Sequence, residues 1–207
     1  MVYTYGVRWR TLADGRPMAV DVSDDDLMRM YCDGDAEAFD ALFDRHYRSV
    51  YNFARMMLGS IDGSDEVLQE AFLAVAQSAE QYEGRGRFCG WLMRIVRNRC
   101  LSRLAAQRVR QQMMAGSDLE IVEPASRGPG PAEQVEVDEQ VQVMREAIGR
   151  LPQRQREAIV LYAFEQMSYA EIAQVLQMPT GTVKTLIHRA RAGLAEMHLE
   201  QSEGDQT

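Results

Sequence analysis

With 207 residues, 46% of them hydrophobic, the chain has material for one or two modest globular domains. Charged residues make up 26% and aromatics only 8%, and β-branched runs are scarce, a balance that favours small helical domains over sandwiches or barrels. The net charge of −8 excludes indiscriminate nucleic-acid binding, since a polyanion repels a polyanion. That total hides a dipole. From Asp21 to Asp44 there are nine acidic residues with Arg29 among them, whereas Gly84 to Ser117 holds eight arginines and no acid. The three cysteines, Cys32, Cys89 and Cys100, fit no CxxC or Cys/His ligand spacing and read as reduced thiols of a cytoplasmic protein, each a small buried hydrophobe. No apolar run approaches the ~18 residues of a membrane span, so no membrane insertion is expected.

In chain order, residues 1–22 have no continuous apolar core and read as a disordered N-terminal extension, with Met18 as an alternative start. A first helical domain is expected over 23–115. It opens with a short acidic helix, Asp24 to Asp33, followed by a helix capped by Asp35 that carries Phe39, Leu42, Phe43, His46, Val50, Phe53 and Met57 at 3-4 spacing. Ser64 is expected to cap a third helix with Val67, Leu68, Ala71, Phe72 and Val75 apolar. A fourth, Phe88 to Gln112, alternates Leu92, Ile95, Val96, Leu101 and Leu104 with the arginines. Its apolar stripe must be buried and the arginines left outside. Residues 116–133, with three of the six prolines and three glycines, read as a flexible linker. A second helical domain is expected over 134–200 and a disordered tail over 201–207. Within that domain, Pro152 suits the first position of a helix running to Phe164. The fold class is thus all-α, two small helical domains on a tether.

The stretch SYAEIAQVLQMPTGTVKTLIHRARAGL, from Ser168, carries the first functional signal. Ser168 and Glu171 make a capping box for one short helix, and Thr180 is expected to cap a second. At 100° per residue, Val183, Ile187, Ala190 and Leu194 share a buried sector of ~60°. Gly181, Thr185, His188 and Ala192 fall opposite it, with Lys184, Arg189 and Arg191 flanking. A narrow outer surface, short-chained at the N-terminal end and cationic beyond, suits a major groove ~12 Å wide. The competing reading is a helical hairpin whose basic residues are simply solvated. Against a DNA reader stands Gln177, which occupies the turn where glycine would take the left-handed conformation, at ~1 kcal/mol.

The second signal is the Arg-rich helix, preceded by Tyr82, Phe88 and Trp91. Arginines alone indicate phosphate contact or a wet face. Aromatics beside them suit unpaired strands, because a base stacked on a ring is worth ~1–3 kcal/mol. Arg94, Arg97 and Asn98 complete that strip, and core packing is the competing role for Phe88 and Trp91. A module holding separated strands, tethered to another reading duplex, suits the opening of DNA a set distance from a recognised site.

Five segments in this order, GDAEAFDALFDRHYRSVYNFA at Gly34, DEVLQEAFLAV at Asp65, FCGWLMRIVRNRCLSRL at Phe88, LPQRQREAIVLYAFEQMSYAEIA at Leu151 and PTGTVKTLIHRARAGL at Pro179, make the chain resemble bacterial RNA polymerase sigma factors of the extracytoplasmic-function (ECF) type over about residues 24–112 and 134–199. The resemblance implies core RNA polymerase and promoter DNA as partners, with an inhibitory anti-sigma factor besides. It implies that Glu66, Gln69 and Glu70 lie on the helix docking to the polymerase clamp. It implies that Phe88, Trp91, Arg94, Arg97 and Asn98 serve minus-ten recognition and melting, and that Thr180, Thr182, Lys184, Thr185, His188, Arg189 and Arg191 serve minus-thirty-five reading. Ser102, Ala76 and Leu186 depart from the family pattern. On the helical wheel Leu186 sits on the flank of the buried stripe, a place for packing rather than DNA contact. No nucleophile, metal or cofactor constellation is visible, and His46, His188 and His198 are dispersed, so neither catalysis nor a cofactor is expected. The rival readings are an autonomous helix-turn-helix regulator, which leaves GWLMRIVRN unexplained, and a DNA-processing enzyme such as a recombinase, which needs a mixed α/β domain.

Overall fold

The structure, a computed structural model, describes residues 3–4, 7–11, 17–84, 87–115 and 139–204, with side chains over 22–84, 87–113 and 142–197. Three short strands come first: β1 (Tyr3–Thr4), β2 (Val7–Thr11) and β3 (Pro17–Asp21), an antiparallel meander in the order β1-β2-β3 with Arg8 opposite Val20 and Trp9 opposite Ala19. The expectation of a disordered extension over 1–22 is corrected for these residues. VRWRT alternates apolar and polar residue types with period two, a strand pattern, and its backbone pairs with PMAVD.

Among the described residues, every regular element after the meander is a helix. Ser23 caps α1 (Asp24–Cys32), its Oγ accepting from Asp26 N at 3.2 Å, and Asp35 caps α2 (Ala36–Leu58) by accepting from Glu37 N at 3.1 Å. α2 stops at Gly59, whose φ of 71° is the left-handed turn that glycine enters without Cβ strain. α3 runs Ile61–Gln77 and begins one turn before the sequence suggested. Ser60 is its cap, accepting from Gly63 N, while the expected cap Ser64 is buried inside the helix and donates its hydroxyl to Ser60 O at 2.6 Å. Two serines four residues apart compete for that role. The earlier one wins because Gly63 leaves room for its hydroxyl, which a Cβ there would meet at 2.6 Å. A 3-10 turn (Ala79–Gln81) leads on to α4 (Phe88–Ala115). Leu42, Val50, Phe53, Met57, Val67, Phe72, Val75, Leu92, Met93 and Val96, the apolar positions of the 3-4 patterns, fill the core between α2, α3 and α4.

The second domain consists of α5 (Glu139–Arg150), α6 (Gln153–Ala163), α7 (Tyr169–Leu176) and α8 (Thr180–Gly204). Pro152 stands just ahead of α6 rather than in its first turn, a one-residue shift of boundary. α8 continues through residues 201–204, which the sequence suggested would be a disordered tail, because no glycine or proline interrupts it from Leu194 to Ser202. Both domains are all-α, as the composition implied. The expected linker, 116–133, and the expected start of this domain at 134 lie outside the described residues.

The two domains are docked. α6 packs on α2 and α7 on α4, so that the buried residues of both domains form one continuous cluster. Polar contacts cross the junction as well. Arg156 of α6 donates to Met57 O at the end of α2 (3.0 Å), Arg108 donates to Gln153 Oε1 (3.2 Å), and Arg97 of α4 pairs with Glu157 of α6, Nε to Oε2, at 2.6 Å.

Candidate nucleic-acid interface

The helix-turn-helix forms as its sequence suggested. In the capping box, Ser168 Oγ accepts from Glu171 N at 3.3 Å, and the Glu171 carboxylate accepts from Ser168 N at 2.8 Å. These Ser168 donors hold the Glu171 carboxyl below its ordinary range. Gln177 ends α7 at φ 55°, ψ 51°, the left-handed conformation that the missing glycine would have taken. α8 then starts at Thr180, with Thr182 N donating to Pro179 O, so Thr180 is its first residue rather than its cap.

Along α8, Val183, Ile187 and Ala190 are buried at 0–2% exposure, while Thr180, Gly181, Thr182, Lys184, Thr185, His188, Arg189 and Arg191 are all exposed. Every residue expected on the reading face is therefore accessible on one helix. Two of its cations are also oriented. Lys184 Nζ sits 5.8 Å from the ring centre of Tyr169 and the Arg191 guanidinium 4.9 Å from that of Tyr162, the two rings stacked 5.3 Å apart. Cation–π attraction of this kind is worth ~0.5–1 kcal/mol at the surface and limits where each charge swings. Neither tyrosine is marked by a local sequence pattern for this role. The fold supplies this pairing by crossing α6 over the start of α7. Leu186 is half-buried against the core, so it packs, as its place on the wheel suggested.

The Arg-aromatic strip of α4 fares differently. Phe88 is 2% exposed and packs edge-on to Tyr82 (5.8 Å) and against His46 (5.2 Å), so its role here is in the core, and the expectation of a base-stacking face is corrected for it. His46 in turn contacts Asp24 through Nε2 at 2.8 Å. Burial alone would raise the Asp24 carboxyl, but His46 and Arg45 together hold it below its ordinary range. Trp91 is half-buried, tilted 5.0 Å from the Tyr82 ring. Tyr82 donates to Asp25 Oδ1 at 2.5 Å, and burial followed by that carboxylate raises its hydroxyl pKa. Arg94 and Asn98 are exposed, whereas Arg97 is 6% exposed and faces the second domain. A cleft of about 590 Å³ lies over this strip, lined by Tyr82, Arg87, Trp91 and Arg94 from the first domain and Gln174 from α7.

On α3, Glu66 and Gln69 are exposed and Glu70 is half-buried, all three on one face. Arg103 of α4 binds both Glu66 and Glu70, the latter at 2.5 Å. One further residue on this face escaped the sequence reading: Leu73, 58% exposed, one helical turn beyond Gln69 and Glu70. The signal was there, because Leu73 is the apolar residue of α3 that falls off the stripe set by Val67, Ala71 and Val75. Among the described residues no cluster of His, Cys, Asp and Glu is placed to hold a metal ion, and no helix is long and apolar enough to cross a membrane.

Comparison with known proteins assigns both halves. Residues 42–110 match the family described as Sigma-70 region 2, and residues 142–194 match Sigma-70, region 4. The chain is 35% identical over 175 residues to ECF RNA polymerase sigma factor SigM of Mycobacterium tuberculosis (strain ATCC 25618 / H37Rv), covering 84% of each. It is 31% identical over 185 residues to ECF RNA polymerase sigma-E factor of Escherichia coli (strain K12), covering 86% of this chain and 95% of that one. A solved structure of CnrH in complex with the cytosolic domain of CnrY superposes with a TM-score of 0.63 at 26% identity, over 84% of this chain and 96% of that one. The region 2 match contains the exposed Glu66, Gln69 and Leu73 face of α3 and the Arg-aromatic strip on α4, and the region 4 match contains the exposed, cation-flanked face of α8. The chain belongs to the ECF family of RNA polymerase sigma factors.

Proposed function

We propose a division of labour in which this sigma factor binds core RNA polymerase through α3, melts the minus-ten element with α4 and reads the minus-thirty-five element with α8. The observation that carries it is the exposed, cation-flanked face of α8 lying within a region 4 match that follows a region 2 match in one chain. At the reading face, Thr182, Thr185 and His188 offer short polar groups to base edges, and Lys184, Arg189 and Arg191 reach the phosphates beside them. Thr180 and Gly181 place the free N–H groups of the α8 N-terminus toward the backbone of the duplex. For docking, Glu66, Gln69 and Glu70 supply a polar rim around the exposed Leu73, a mixture suited to a helical partner surface.

In the strip on α4, Trp91 stacks an unpaired base, Arg94 and Arg97 take phosphate, and Asn98 bonds a base edge. The domains assigned to these roles are 23–115 and 134–200, joined through 116–133. The protein works without catalysis or a cofactor of its own, in the cytoplasm. A protein inhibitor is the further partner, supported by a likeness to CnrH, which was solved in complex with the cytosolic domain of CnrY. The test is run-off transcription with purified core polymerase on a genomic fragment library. Transcripts that depend on this protein support the reading, while duplex binding without any association with core favours the autonomous regulator instead.

A further inference from the structure

Away from the α4 strip, a second cavity of about 280 Å³ lies between the end of α2 and the helices α5 and α6, and arginines dominate its charged wall. α5 contributes Gln142, Arg145, Glu146 and Gly149, a 3-4 spacing that puts all of them on one helical face. Arg55 comes from the last turn of α2 and Arg156 from the start of α6. Arg156 is committed to the backbone, donating through Nη1 to Met57 O at 3.0 Å and through Nη2 to Leu151 O at 3.2 Å and to Gly149 O. Arg55 Nη1 donates to Gly59 O at 3.1 Å. The Nε atoms of Arg145 and Arg156 are both buried with no acceptor among the described residues. No salt bridge joins Arg55, Arg145 or Arg156 to a carboxylate among those residues. Glu146, the carboxylate on the wall, accepts from Gln142 Nε2 at 3.1 Å, and Glu157, whose field reaches Arg156, is paired with Arg97. Burial and then the like charge of Arg55 lower the Arg145 guanidinium from its ordinary value, the mark of a cation short of a counter-charge.

We infer that this cavity is a phosphate-binding site, in which Arg145, with Arg55 and Arg156 beside it, holds a dianionic phosphate group, free or carried by a small ester or nucleotide. A guanidinium cannot shed its proton in a protein, so an arginine drawn into a wall without a partner calls for an anion. Three guanidiniums against one carboxylate leave two positive charges at the cavity. A phosphate monoester carries about −1.5 to −2 at neutral pH, which matches that excess where a single carboxylate would not. The planar fork of arginine also fits two phosphate oxygens at once, and Arg145 is the member of the set with its donors uncommitted to the backbone. Space agrees with the charge. At about 30 Å³ per water the cavity holds roughly nine waters, ample for one phosphate, and a Cβ added at Gly149 would meet nothing within 4 Å. Ligand pockets for whole organic molecules run to about 300–1,000 Å³, so the cavity takes the phosphate head and leaves any remainder of the molecule outside. The site uses none of the residues assigned to polymerase or promoter contact under Proposed function.

The test is calorimetric titration of the full-length chain with pyrophosphate, at an ionic strength held constant with potassium chloride. Arg145→Gln should weaken binding about tenfold to a hundredfold, the loss of a charge-assisted hydrogen bond. Arg150→Gln, an exposed arginine of the same helix outside the cavity, should leave it within about twofold. Melting curves separate binding from folding. Without pyrophosphate, Arg145→Gln should melt no lower than the native chain, because it removes a buried charge that lacks a partner. At a hundredfold excess over Kd, pyrophosphate should raise the native melting temperature by about 5–10 °C and that of the variant far less. A parallel titration with adenosine diphosphate distinguishes the sources: equal affinity points to the free anion, and at least about tenfold tighter binding to a nucleotide. No heat of binding at matched ionic strength overturns the site. Equal weakening by Arg145→Gln and Arg150→Gln overturns it too, since it marks general attraction to a basic surface, as does a variant that melts lower than the native chain by the same amount with and without pyrophosphate. These measurements contain neither polymerase nor DNA, so they stand or fall separately from the run-off result.

Discussion

The two arginine-bearing helices to which DNA contacts are assigned in the proposal, α4 and α8, share a recipe: an apolar stripe, arginines on the outside, aromatics close by. Their states are nonetheless opposite. α8 buries Val183, Ile187 and Ala190 within its own domain and leaves its cations outward, two of them steadied over tyrosine rings. α4 buries Leu92, Met93 and Val96 in its own domain too, but a second surface then covers it, and Arg97, one of the outward arginines by pattern, becomes a buried residue. Helical periodicity separates inside from outside for one domain. It carries no information about which outside face a second domain will occupy.

Phe88 and Trp91 mark the sharpest divide, and substituting them gives the largest expected effects. Phe88→Ala should destabilise the first domain by ~3–5 kcal/mol, as for a large side chain removed from a core, read as a lower urea midpoint for the full chain. Unchanged stability with a loss of promoter opening would return Phe88 to the strand-binding face. Trp91→Ala should leave stability closer to native, because the ring is only half-buried, and weaken open-complex formation by ~1–3 kcal/mol. Permanganate reactivity of unpaired thymines at equal closed-complex occupancy measures it. The comparison between helices blurs if the closed complex weakens equally.

On the exposed side, Lys184→Ala with Arg189→Ala should lower promoter affinity about tenfold to a hundredfold and reduce the steepness of its salt dependence by about two phosphate contacts, with no change in thermal stability or core binding. Salt-titrated binding of the holoenzyme to promoter duplex reads both quantities. A fall in melting temperature here would mean that α8 is holding the fold rather than reading DNA.

The smallest expected effect concerns the covered junction. Glu165, just beyond α6, has its carboxyl raised to about 7 by burial, partly countered by His46 of α2, and Cys89 of α4 also lies in its field. A carboxyl raised on folding holds its proton more tightly folded than unfolded. Folded stability is therefore full below its ordinary value of 4.5 and declines as pH rises from there through about 7. Glu165→Gln removes the ionisable group and should flatten that decline, raising the melting temperature by about 2–4 °C at pH 8 and by less at pH 5. An identical shift at both pH values would assign the effect to packing alone.

Sequence by itself determined the helices, both domain cores and the helix-turn-helix, because those depend on local spacing: the 3-4 stripes of α2 and α3, the Ser168 and Glu171 box, and the left-handed residue at Gln177, which appeared where the turn demanded it despite a cost of ~1 kcal/mol or more. The exposed polar and cationic face of α8 was legible for the same reason, since one helix supplies all of it. Tertiary structure alone decided the tyrosine platforms under Lys184 and Arg191 and the burial of Arg97. Nothing in the local sequence separates Glu157 from any other charge on an amphipathic helix. That it is fully buried and faces an arginine 60 positions earlier follows from how two domains dock, a contact between residues too distant in the chain for any local pattern to record.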